Sequence, residues 1–109
     1  MHELSIAESI VDTVLQRTGA QQVHVVNVRI GRLTAVVPDA LLFCFELATV
    51  GTPLEGARLD VHQTDARVHC RSCGKDPLVA DLVLLCDCGS ADVEVLSGRE
   101  LQVGSVEVV

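Results

Sequence analysis

The chain has 109 residues, a formal charge of -7 and only eight lysines and arginines. Scattered basic residues and a pI near 4.8 exclude a phosphate-backbone binder, which needs clustered cations to release counterions. With no Trp or Tyr and only Phe43 and Phe45, the chain has no aromatic platform for stacked bases, so nucleic acid is not an expected partner.

Mean hydropathy is high at +0.40. Yet the longest apolar stretches, Ala40–Phe45 and Leu82–Cys86, fall far short of the roughly 20 residues a membrane span needs, and no membrane segment is expected. A high apolar fraction instead leaves room for a homodimer surface or a partner patch. His2 and Glu3 open the chain where a secretory signal would place basic residues before an apolar run, so the expected location is the cytoplasm. In that reducing compartment an odd count of five cysteines, four of them closely paired, favours metal ligation over disulfides. The length suits one compact body, or a small domain plus a metal-held module.

In chain order, Leu4 to Arg17 places Leu4, Ala7, Ile10, Val11, Val14 and Leu15 on one face at helical spacing. Ser5 and Glu8 have the spacing of a capping box, and Gly19 is a stop. That cap would leave Met1, His2 and Glu3 at the helix entrance. The β-branched run from Val23 to Ile30 predicts a strand ending at Gly31, with Val26, Val28 and Ile30 on one face. A second helix is expected from Asp39, its cap after Pro38, through Leu42, Phe43, Phe45 and Leu47 as core residues to a stop at Gly51. The turn-rich stretch Gly51, Thr52, Pro53 and Gly56 leads to a strand alternating Leu59, Val61 and Gln63 with Arg58, Asp60 and His62. Its expected sheet partner is the C-terminal run containing Leu101, Val103, Val106 and Val108. Between these strands the cysteine module occupies 67–97, so residues 1–66 with 98–109 form a first body that the chain leaves and rejoins. The fold class is α+β: two helices on a small, mainly antiparallel sheet, with an inserted zinc-ribbon-like four-cysteine module.

Cys70 and Cys73 form a C-x2-C pair; twelve residues intervene before Cys86 and Cys88, which form C-x-C. Two such pairs brought face to face supply the tetrahedral sulfur shell that zinc accepts without electronic preference for another geometry. Gly74 and Gly89 directly follow each pair and permit tight turns that aim backbone N–H groups at sulfur. In an extended strand residues i and i+2 face the same way, which lets Cys86 and Cys88 converge, though more tightly than a two-residue spacer would. Four thiolates close the coordination sphere, so the site reads as structural rather than catalytic. The alternatives are a redox pair, opposed by Pro77 where a thioredoxin-type helix would run, and ligation completed by His69. Cys44, between two phenylalanines, reads as a small core residue, and His24 and His62 as strand-surface residues.

The opening MHELSIAESIV, the central FCFELATVGTPLEGARL and the cysteine module with the trailing LQVGSVEVV together resemble the HypA/HybF family of hydrogenase maturation nickel chaperones, in order and over essentially the whole length. The resemblance implies a nickel-binding domain on 1–66 with 98–109, nickel held by Met1, His2 and Glu3, and zinc held by Cys70, Cys73, Cys86 and Cys88. Nickel is then cargo and zinc structural. The implied partners are the large-subunit precursor of a nickel-iron hydrogenase and the HypB GTPase, with urease maturation proteins as a further client system. The coordination chemistry agrees. A terminal amine that titrates near 7.7 to 8.0 is partly free at neutral pH, and nickel takes square-planar or tetragonal nitrogen and oxygen sites. His2 is bulky, so Met1 is expected to be retained. The chain departs from the family in its second pair, where relatives carry C-x2-C. A zinc-ribbon protein-interaction module without nickel transport is the other reading. An enzyme is not expected, since there is no Ser-His-Asp set, no glycine-rich phosphate loop and no open zinc site beside a base.

Overall fold

A computed structural model describes residues 2–80 and 82–109. In chain order they form α1 (His2–Thr18), β1 (Val23–Gly31), a 3-10 turn (Arg32–Thr34), α2 (Pro38–Thr49), β2 (Arg58–Thr64), β3 (Ala66–Cys70), β4 (Leu78–Val79), β5 (Val93–Ser97) and β6 (Leu101–Val108). The strands make two three-stranded sheets, in the orders β2-β1-β6 and β4-β3-β5. The α+β class expected from the sequence, two helices with small antiparallel sheets, is the observed one. Two compact units result: Met1–Arg29 with Val36–His62 and Gln102–Val109, and Ile30–Ala35 with Gln63–Leu101.

In the first unit, α1 already runs at His2, so Ser5 lies inside the helix rather than at its cap. Glu3 in the first turn supplies the negative charge that the helix's N-terminal dipole favours. Ile6, Ala7, Ile10, Val11 and Val14 form the buried face, which packs against α2. Gly19 ends the helix as expected: its φ of 60° is left-handed, and its N–H donates to the Leu15 carbonyl at 2.9 Å.

α2 begins at Pro38, not Asp39, and Val37 precedes it in extended conformation. Proline at the first position has a preset φ and lacks the N–H that would be orphaned there, so no side-chain cap from Asp39 is required. The buried face is Leu41, Cys44, Phe45 and Thr49. Cys44 is a core residue as expected. Leu42, Phe43 and Leu47, read from the sequence as core, point outward instead, with Phe43 63% and Leu47 56% exposed.

β1 is the central strand, and Val23, Val25, Val26, Val28 and Ile30 are all buried. The Val109 N–H donates to the Gln22 carbonyl, and Asn27 Nδ2 to Ser105 Oγ, so β6 runs antiparallel to β1. The expected pairing of the 58–64 strand with the C-terminal run does not occur; each pairs with β1 instead. The most continuously apolar strand takes the middle, where it is hydrogen-bonded along both edges, and the more polar strands take the outside.

The second unit is built on β3, antiparallel to both neighbours, with Ala66 opposite Val79 and Cys70 opposite Val93. Its core is small: Ala66, Val68 and Val79, flanked by Leu33, Leu84, Val93 and Val95. The Leu33 N–H reaches the Gly98 carbonyl at 2.8 Å. That approach needs glycine at 31, because a Cβ there would overlap the Gly98 carbonyl oxygen.

The orientation of α2 sets an asymmetry between two neighbouring phenylalanines. In urea unfolding, Phe45→Ala is expected to cost about 3–5 kcal/mol, whereas Phe43→Ala should stay within about 0.5 kcal/mol. Equal losses would mean that α2 is rotated from the orientation described.

Candidate metal centre

Cys70 ends β3, and Cys73 lies in the turn that follows. The Gly74 N–H closes this turn on the Cys70 carbonyl at 2.9 Å, and Gly74 itself takes a φ of 77°. The second pair is not on a strand, contrary to the extended geometry anticipated from its spacing. Cys86 to Gly89 form a turn closed by the Gly89 N–H on the Cys86 carbonyl at 2.9 Å, and the Cys86 N–H bonds the Ser90 carbonyl at 3.0 Å. Gly89, with φ 91°, lets one residue do the work of two in turning Cys88 back.

The four sulfurs all lie within 4.8 Å of one another. Cys70 and Cys88 are 3.7 Å apart, and Cys73 and Cys86 3.5 Å. A tetrahedron with metal–sulfur bonds of about 2.3 Å has edges of about 3.8 Å, so the arrangement is compatible with zinc. Cys70 and Cys86 are buried while Cys73 and Cys88 reach the surface, one of each kind from each pair. Around them, Arg71 donates to Asp92 at 2.9 Å, and the Ser72 and Ser90 hydroxyls share a 2.9 Å hydrogen bond, tying the first turn to the segment after the second. Sequence reasoning missed these braces, because nothing in the spacing of a serine or arginine marks its partner.

The two buried thiols are driven apart electrostatically. The Cys73 N–H, assisted by the Ser72 N–H, draws the Cys70 thiol down to about 6, overcoming the opposing effect of burial. At Cys86 the Cys88 N–H pulls downward, but burial and the three neighbouring thiols outweigh it and push the group up to about 12. Four sulfurs this close cannot all ionise without a cation between them.

His69 does not join the cluster. Consecutive residues of a strand point to opposite faces, so with Cys70 turned inward His69 turns away, and its Nδ1 pairs with Asp76 Oδ1 at 2.6 Å. The sequence alone leaves His69 open as a ligand, because no strand is expected there; β3 decides it. His24 and His62 are exposed strand residues, His62 hydrogen-bonded to Asn27.

At the other proposed site, Met1 lies outside the described residues. His2 Nδ1 and Glu3 Oε2 are 3.4 Å apart, and the same carboxylate oxygen accepts the Val37 N–H at 3.4 Å. Val37, just before α2, carries no sequence signal for this role. Its N–H, with Glu3's own N–H and the adjacent His2, holds the Glu3 carboxyl below the usual range.

An α+β body with a four-thiol knuckle defines a small metal-binding protein. The family described as hydrogenase/urease nickel incorporation metallochaperone, HypA, matches residues 1–108. A hydrogenase maturation factor HypA of Geobacter metallireducens is 44% identical over 109 residues, covering 99% of each chain. Its counterpart in Nostoc punctiforme is 36% identical over 108 residues, 99% of this chain and 96% of that one. The solution structure of the nickel metallochaperone HypA from Helicobacter pylori superposes with a TM-score of 0.66 at 23% identity, covering 100% of this chain and 98% of that one. The chain belongs to the HypA family, and is a nickel-incorporation metallochaperone for hydrogenase maturation. Among the described residues no helix is long and apolar enough to cross a membrane.

Purified chain should hold one zinc, with Cys88→Ser weakening retention by about tenfold or more against a chromophoric chelator and His69→Ala leaving it unchanged. Loss of zinc in His69→Ala would restore that residue as a ligand. Glu3 provides a pH test in metal-free protein. A carboxyl with a depressed folded pKa contributes stability that is present above its unfolded value of about 4.3 and lost as pH falls through the lower folded value. Thermal melts should therefore show Glu3→Gln less stable at pH 7, with the difference closing below about pH 4.

Proposed function

We propose that this chain carries nickel on Met1, His2 and Glu3 and delivers it to the large subunit of a nickel-iron hydrogenase precursor. It works in the cytoplasm with the HypB GTPase, and urease maturation is a second client system. Zinc on Cys70, Cys73, Cys86 and Cys88 is structural, so nickel handling falls to 1–66 with 98–109 and zinc to 67–97. The chain holds and transfers a metal rather than catalysing a reaction.

The observation that carries this reading is the placement of His2. It is the first residue of α1, its side chain is 55% exposed, and it stands beside a carboxylate anchored by Val37. The first N–H groups of a helix have no intrahelical acceptor. The His2 amide nitrogen is therefore free to ligate without breaking the helix, and with the terminal amine and the imidazole it closes adjacent chelate rings on one ion. Glu3 adds a neighbouring oxygen whose negative charge is already secured. An exposed site of this kind can surrender its ion, whereas four thiolates around zinc leave no open position for exchange.

Titration of untagged protein with nickel tests the assignment. His2→Ala should lose about a hundredfold or more in affinity while zinc content stays at one ion, because chelate ligands act as a unit. Blocking the terminal amine with an extra residue should have the same effect. Unchanged nickel affinity in His2→Ala removes His2 from the site.

A further inference from the structure

The outer side of α2 is apolar where a surface helix is ordinarily polar. Phe43 and Leu47, at i and i+4, are 63% and 56% exposed, and Val50, the residue that caps the helix end, continues the stripe at 67%. Leu42 widens the stripe at its edge. The inner side of the same helix is already committed to the core through Leu41, Cys44 and Phe45. Packing therefore cannot account for the outer residues, and a contiguous exposed apolar patch marks an interaction surface.

The charges framing the stripe have one sign. Asp39 lies one turn before Phe43, and Glu46 lies one turn before Val50; both are exposed. Just past the helix, the Glu55 carboxylate is held by the Gly51 N–H at 3.0 Å. α2 contains no lysine or arginine. A second copy of the chain would bring the same carboxylates and another net charge of -7 to this face, with no counter-charge to meet them. An anionic lipid surface is disfavoured on the same ground.

We propose that this face docks an amphipathic helix of another protein, with its apolar edge on Phe43, Leu47 and Val50 and its flanking lysines or arginines on Asp39 and Glu46. The surface is defined by α2 alone and stands whether or not the N-terminus carries nickel.

The test titrates isotope-labelled full-length protein with a helical peptide of leucine and lysine, and with a twin in which every lysine is glutamate. Amide shifts should centre on residues 39–50, with the glutamate twin binding about tenfold or more weakly. Phe43→Ser with Leu47→Ser should weaken the lysine peptide by at least about tenfold. So should Asp39→Lys with Glu46→Lys, a charge reversal at exposed positions that leaves the core untouched. Shifts centred elsewhere, equal binding of the two peptides, or full binding by the charge-reversed variant would overturn the proposal. Sedimentation that shows a dimer abolished by Phe43→Ser with Leu47→Ser would overturn it too, by making the occupant a second copy.

Discussion

Four sulfur atoms within 4.8 Å of one another are held in a unit with a small hydrophobic cluster around Ala66, Val68 and Val79. That cluster takes in Val79 and Leu84 from the segment between β3 and β5, but Leu82, Val83 and Leu85 are exposed and add little to it. A metal held by the four thiolates would supply the cross-links that this segment otherwise lacks, as in other small metal-held modules. Without a cation the cluster is frustrated: one buried thiol sits near 6 and the other near 12. A divalent ion resolves this by stabilising all four thiolates at once. The shortened Cys86–Cys88 spacing is absorbed by a glycine turn rather than by a change in sulfur geometry.

The four-thiol site and the proposed nickel site follow opposite design rules. The thiol site is closed, doubly buried and braced by Arg71–Asp92 and Ser72–Ser90, features that hold an ion in place. The proposed nickel site is at the start of a helix, with an exposed imidazole and a carboxylate held by the Val37 N–H. Retention and transfer need these different degrees of enclosure, because departure of an ion requires incoming ligands to reach it. Glu3 connects the terminal site to the packing of the first unit, since the N–H it accepts belongs to the residue that launches α2.

α2 then serves the first unit through one side and presents Phe43 and Leu47 on the other. In a chain without other aromatic residues, the two phenylalanines, two positions apart, face different surroundings: Phe45 is 2% exposed and Phe43 63%. Identical side chains are thereby given unrelated tasks, one in stability and one at the surface.

Much of this was written locally. The periodicity of α1, its glycine stop, the β-branched run of β1 and the cysteine spacings with their trailing glycines each depend on near neighbours, and each was legible in the sequence. Other features could not be read because they depend on partners distant in the chain. A run of apolar residues such as Leu41 to Phe45 does not reveal which side of its helix meets α1, and that contact decided that Leu41 and Cys44 are core while Leu42 and Phe43 are not. Strand pairing put β1 in the centre of its sheet, between β2 and β6, which no local pattern names. The sequence by itself determined the two helices, the strands β1, β2 and β6, the cysteine cluster and the family. Only the tertiary structure decided which faces are buried, how a C-x-C pair meets a C-x2-C pair, and that Val37 anchors Glu3, because burial and hydrogen bonding are properties of pairs that the chain order does not name.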